Sequence, residues 1–226
     1  MKKAFKITLI IFCLAMPLAA IAIKSPLSKY FISAYISHRF NAEVKMQKCD
    51  VSLSGRLLAS GVEIKNKKGL NCTIKEADVR YNLAAVLKGE MALKYSLRSV
   101  KFIYSDSDII TGISRLFSIE PDYSLLFDAV DGQLFIKGDE LVVKDLDARG
   151  ENVSLFVNGT TTAEENISYK IKLTLSESIT SRIPDVVRKI FFIEQKEYSI
   201  VELSISGNAK KPSINFSTPL FKLLIK

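Results

Sequence analysis

From Val44 to Tyr104, apolar and polar residues alternate in short runs separated by turn residues. Val62-Glu63-Ile64-Lys65 and Asp78-Val79-Arg80-Tyr81 put apolar side chains on one face and charges on the other. That two-residue period belongs to a half-buried antiparallel sheet. The spacing predicts strands over 44–53, 57–66, 70–83 and 91–104. Turns fall at Ser54-Gly55-Arg56 and Lys67-Lys68-Gly69, and one helical turn over 84–89. Helix-like spacing returns over 106–119.

A second strand-rich block follows. Asp131-Gly132 and Gly138-Asp139 read as hairpin turns bracketing a strand over 133–137, with the next strand over 140–146. A further strand covers 152–158 and ends at Gly159. Ile167, Tyr169, Ile171, Leu173 and Leu175 alternate with Ser168, Lys170, Lys172 and Thr174, the cleanest one-sided strand in the chain. Pro184 opens a short helix to about residue 193, with Val187, Ile190 and Phe191 inward. Strands over 197–206 and 213–217 close the pattern, and the apolar tail 220–226 either caps the sheet or touches lipid. Strands of this length and spacing predict a mainly β, mostly antiparallel fold with a few short helices.

The first residues follow a different rule. Lys2, Lys3 and Lys6 precede an uncharged run from Ile7 to Ile23, closed by Lys24. Positive charge ahead of an apolar run marks an export signal or a membrane helix anchored from the inside. Residues 1–24 read as an uncleaved signal anchor; cleavage after Ala20-Ile21-Ala22 is the alternative. Either topology places the rest of the chain across the membrane. Ser25-Pro26 then starts an amphipathic helix within 25–41, whose apolar stripe covers one end of the sheet or lies on lipid. Two β regions follow, 42–120 and 121–226.

The net charge of +8 is uneven: residues 1–101 hold 18 Lys/Arg against 6 Asp/Glu, and residues 102–226 hold 14 against 18. A basic front half beside a membrane segment suits anionic headgroups as neighbours, and it equally suits solvated strand faces. Nucleic acid is a poor fit, because the cations alternate with apolar residues along strands and do not interleave with stacking aromatics.

Catalytic chemistry finds little to build on, and the chain does not read as an enzyme. His38 is the one histidine, and no Gly-x-Ser-x-Gly elbow, phosphate-cradling glycine loop or Cys/His zinc spacing occurs. Asp106/Asp108 and Asp145/Asp147 are carboxylates two apart without the further oxygen ligands of a calcium loop, so no metal or cofactor is expected. Cys49 and Cys72 are either bridged across neighbouring strands or buried thiols.

The run Val51-Ser52-Leu53-Ser54-Gly55-Arg56-Leu57-Leu58-Ala59-Ser60-Gly61-Val62-Glu63-Ile64, and then Ala77-Asp78-Val79-Arg80-Tyr81-Asn82-Leu83-Ala84-Ala85-Val86-Leu87-Lys88-Gly89, resembles the N-terminal part of the AsmA-like proteins of Gram-negative-type envelopes. The second block, through Ser206-Gly207-Asn208-Ala209-Lys210-Lys211-Pro212, is similar to the C-terminal pattern of the same family. The motifs are strands, turns and glycines, and this chain is far shorter than typical relatives. The resemblance implies a β-groove anchored in the inner membrane by a single pass, with the bulk of the chain in the periplasm as a long twisted sheet half open along one side. It further implies phospholipid or another envelope lipid as the ligand, in lipid transport or outer-membrane homeostasis. Val62, Ile64, Val79 and Tyr81 in the first block, and Ile171, Leu173, Leu175, Leu203 and Ile205 in the second, are the expected groove lining. The alternatives are a scaffold whose edge strand adds an envelope partner's strand, and an LptC-like tether passing lipopolysaccharide.

Overall fold

The computed structural model describes residues 42–52, 54–66, 70–82, 90–104, 124–217 and 222–225, with helical positions at 29, 30, 32–34, 37 and 85. In chain order the strands are β1 (Ala42–Lys45), β2 (Lys48–Ser52), β3 (Arg56–Asn66), β4 (Leu70–Tyr81), β5 (Glu90–Tyr104), β6 (Ser124–Lys137) and β7 (Glu140–Arg149). They continue as β8 (Val153–Thr161), β9 (Asn166–Ser176), β10 (Ile193–Glu194), β11 (Tyr198–Asn208), β12 (Lys211–Ser217) and β13 (Lys222–Ile225). Two short helices, α1 (Glu177–Thr180) and α2 (Asp185–Phe191), interrupt the series between β9 and β10.

All of these strands join one open antiparallel sheet, in the order β1-β3-β4-β5-β6-β7-β8-β9-β11-β12-β13. β2 also pairs with β3, and β10 with β11. Each long strand lies beside the one that follows it in the chain, the arrangement that short connections favour. Pairing of β5 with β6, from Glu90↔Lys137 to Ile103↔Ser124, makes the two β regions one continuous sheet.

Three expectations need correction. The strand over 44–53 is two strands, broken at Met46-Gln47, because Gln47 folds over Gly61 of β3 and donates its N–H to Ser60 O and Gly61 O at 3.1 and 3.3 Å. Asp131-Gly132 is no turn but the middle of β6. There Asp131 accepts from Ser96 at 2.6 Å, and a Cβ at Gly132 would lie 2.6 Å from Tyr95 Oη, so long-range packing overrides the local turn signal. Gly159 does not end its strand either, since the Tyr169 ring covers it and β8 runs on to Thr161. By contrast Gly138-Asp139 turns as expected, and the tail adds β13 to the sheet. The turn at 67–69, the helix over 106–119, His38, Asp106/Asp108 and residues 1–28 lie outside the described residues, as does most of the helical turn at 84–89.

A transverse crease gives the sheet its form. On β3 the inward residues are Leu57 and Ala59, then Val62 and Ile64, a step of three where alternation demands two. The same odd step recurs at Ile74/Ala77, Leu97/Val100 and Phe127/Val130 on the next three strands, in register with one another. Two non-core residues fill each step: Ser60-Gly61, Lys75-Glu76, Arg98-Ser99 and Asp128-Ala129. Gly61 at φ +59° and Ser99 at φ +49° take the left-handed conformation that lets a strand gain a residue and still return its side chains to the same face. Apolar packing therefore continues unbroken across the crease. Val100, fully buried, sits at its centre.

Candidate functional site: an apolar sheet face

Register pairing draws the inward face as rows running across the strands. One row reads Cys49–Ala59–Ala77–Leu97–Val130–Ala148–Leu155–Leu173–Val201. Parallel to it, Val51, Leu57, Val79 and Tyr95 face Gly132, and Leu146, Val157, Ile171, Leu203 and Phe216 continue beyond the β7 irregularity. A third row joins Tyr81, Leu93, Leu134, Val143, Gly159, Tyr169, Ile205 and Ile214. Every expected lining residue (Val62, Ile64, Val79, Tyr81, Ile171, Leu173, Leu175, Leu203 and Ile205) lies on this one face.

Burial changes along the strands. At one end Val62, Ile74, Val100 and Phe127 are closed off, forming a core with Val44, Cys72 and Val130. Towards the other end Leu93, Leu134, Val143, Tyr169, Ile205 and Ile214 are only half-buried. The connections follow the same polarity. The half-buried end carries the tight turns at Gly138-Asp139, 162–165 and Ala209-Lys210, while the buried end carries the short turn at 150–152 and the long excursion from Glu177 to Phe192. Burying this face on folding contributes roughly 25 cal/mol per Å², so a half-buried row retains apolar area that another apolar group can cover.

The α1–α2 excursion plugs the buried end. Ile183, Phe191 and Phe192 form a second core with Leu175, Val201 and Phe216, and Val187 and Ile190 pack against it. Phe191 meets Phe216 edge-on, with centroids 5.6 Å apart. Arg188 holds the excursion together. It donates to Asp185 Oδ1 at 2.7 Å and to Thr180 O, and its Nε lies 2.6 Å from Glu194 Oε1. Leu175 is thus buried protein core, whereas Ile171, Leu203 and Ile205 remain half-buried.

The β1 edge is covered rather than open. The Ser33 hydroxyl donates to Val44 O, Val44 N–H donates to Ser37 Oγ at 3.0 Å, and Lys29 Nζ reaches Gln47 O at 3.4 Å. Helical serines four apart thereby occupy the backbone groups that a partner strand would use. The amphipathic segment caps the sheet edge at its described positions.

Along β3–β9 the charged side chains lie on the opposite face. Arg56 holds Asp78 through two hydrogen bonds at 3.0 and 2.9 Å, keeping its carboxyl below the usual range. Partial burial would raise the Asp131 carboxyl, but bonds from Ser96 and Arg149 and the nearby Arg98 outweigh it and leave it lowered. On the inward face burial pushes the Tyr95 hydroxyl up, and does the same at Tyr81, where Cys49 adds to the effect. Both rings stay neutral, and Tyr81 donates to Ser52 O at 3.0 Å.

Cys49 faces Ala59 and Cys72 faces Ile64, on strands at opposite sides of β3 and five residues apart along it. They are not bridged to each other. Burial raises the Cys72 thiol to about 11, so it serves as packing. Among the described residues no group of side chains suits a metal ion, and no helix is long and apolar enough to cross a membrane. The residues missed in the sequence are those whose partners are remote: Tyr95 over Gly132, Tyr169 over Gly159, and Leu134, Val143 and Ile214 in the half-buried row. Strand alternation marks each as inward, but only register joins them. No family model matches the chain, and neither a curated protein nor a solved structure matches it.

Proposed function

We propose that this chain is a non-enzymatic envelope protein that takes the acyl chains of a phospholipid, or of another envelope lipid, against the half-buried end of its inward sheet face. The reading includes the N-terminal anchor and a periplasmic position for the sheet, as the sequence pattern suggests. One observation carries it: apolar rows run without a charged residue across β3–β12, and their burial declines toward the tight-turn end. Each methylene covered there contributes about 0.8 kcal/mol, so several together hold a tail without a specific polar contact. The α1–α2 plug supplies a closed floor, and the covered β1 edge argues against strand addition on that side.

The test is lipid mass spectrometry on the full chain purified from its host. Near-stoichiometric phospholipid, depleted in an Ile205→Glu/Leu203→Glu variant and retained in a Phe156→Glu variant of the outer face, is the expected result. Equal lipid in all three preparations overturns the reading.

A further inference from the structure

A pair of hydroxyls interrupts the inward face at its half-buried end. Tyr169 lays its ring over Gly159 and brings its hydroxyl to that of Thr161, with the two oxygens 2.7 Å apart. Thr161 stands between Leu141 and Ile167 in the inward row nearest the tight turns. Among the described residues of this row and the next, the only other hydroxyl is that of Tyr81, which donates to Ser52 O. Two hydroxyls sharing one hydrogen bond keep one O–H and several lone pairs for a third group. The pair therefore offers a donor at the mouth of an otherwise apolar surface.

Beyond the pair the molecule turns polar. Ala209 N–H donates to Glu165 O at 2.8 Å and Lys210 meets the Glu165 carboxylate at 2.9 Å, which ties turn 162–165 to turn 209–210. Lys137 and Glu90 form another exposed pair at the same end, at 2.9 Å. Charges of both signs thus stand in water past the last apolar row. In the other direction the face runs to a floor. Leu173, four residues along β9 from Tyr169, packs against the core of the α1–α2 plug, and Leu175, two further on, is buried in it. At the rise of a strand these steps span about 13–20 Å. One acyl chain spans half of a bilayer's hydrocarbon core, about 15 Å.

From this match of polarity and length we infer that the inward face holds its lipid end-on. The ester carbonyl accepts from the Thr161–Tyr169 pair, the headgroup stays among the charged turns, and the tail runs along the half-buried rows to the plug. The inference rests on the lipid-bearing reading of this face and adds a direction and a depth to it. The face is then a cup one tail deep, loaded and emptied at the turn end.

The chain has no tryptophan, so a single introduced indole reports its own surroundings. Full-length Ile167→Trp and Leu173→Trp variants are reconstituted in vesicles of phosphatidylcholine brominated either beside the ester or at the tail end. The indole at 167 is expected to be quenched more by the ester-side bromine, and the indole at 173 more by the tail-end bromine. Ile171→Trp, half-buried short of the plug, replaces the deeper reporter if the larger ring unfolds the core. A bromoalkane dissolved in unlabelled vesicles competes for the face without a carbonyl. In the Tyr169→Phe/Thr161→Val double variant, the preference for phosphatidylcholine over the bromoalkane is expected to fall about fivefold, the worth of one hydrogen bond. A merely structural hydroxyl pair would leave that preference unmoved, and an unmoved preference overturns the anchor. Quenching that is equal for the two bromine positions, or reversed, overturns the end-on orientation while leaving lipid on the face. No quenching at any reporter removes the lipid-bearing reading, and this inference with it.

Discussion

Single residues set the crease. Ser99 holds φ +49° with a side chain attached, in the same transverse line where β3 uses Gly61. Left-handed backbone costs an ordinary residue about 1–2 kcal/mol. Ser99→Gly is therefore expected to stabilise the chain by about 1 kcal/mol, part of the relief being offset by greater freedom of the unfolded chain. Urea denaturation checks the sign, and destabilisation would show that Ser99 makes a contact worth more than its strain. Asp131 gives a prediction in pH. Its folded carboxyl is lowered, so its contribution is present above the ordinary carboxylate value near 4 and is lost as pH falls through the lower folded value. The stability gap between the parent and Asp131→Asn should be widest at neutral pH and close in acid; a gap unchanged with pH would contradict the network. Neither feature stands out in the sequence. Ile74-Lys75-Glu76-Ala77 and Leu97-Arg98-Ser99-Val100 pass for ordinary alternation unless the odd step is compared across strands, and that comparison needs register.

At the scale of elements, alternation is a dependable guide wherever one face is buried. Asn166–Ser176 is one strand with its apolar residues inward because cross-strand neighbours on both sides repeat the pattern. Local turn chemistry is the weaker guide. Asp-Gly and a lone glycine signal turns in isolation, yet Gly132 and Gly159 are strand residues whose missing side chains admit Tyr95 and Tyr169. The α1–α2 excursion is legible as a helix but not as a plug, since its contacts with Val201 and Phe216 bridge separate strands. Its closure depends on Arg188. Replacement by Ala is expected to cost under about 1 kcal/mol overall, because the ion-pair partners are substantially exposed. Amide exchange across 177–197 should nevertheless rise several-fold while β9 and β11 stay protected. Exchange rising equally in those strands would mean that the excursion and the sheet open as one unit.

At the scale of the molecule, the two faces of one sheet have opposite characters. The inward face is apolar from β3 to β12, while the outer face carries ion pairs about Asp78 and Asp131. An open meander usually hides its apolar face completely under a second layer. Here α1 and α2 close one end, and the half-buried rows lie at the other. The nine lining positions can be read in the sequence because alternation assigns them all to one face. Their separation into buried core, as at Leu175 and Val62, and half-buried surface, as at Ile205, depends on where the plug and crease lie, which no local pattern carries.

The most direct measurement places a benzophenone amino acid at single positions of the full chain in its host membrane and assays lipid adducts after irradiation. Positions Tyr169, Ile205 and Ile214, at the half-buried end of the inward face, are predicted to capture lipid, while Val201 beneath the plug and Phe156 on the outer face capture none. Adducts at Val201 and Phe156 equal to those at Ile205, or none at Ile205, would contradict a lipid-bearing inward face.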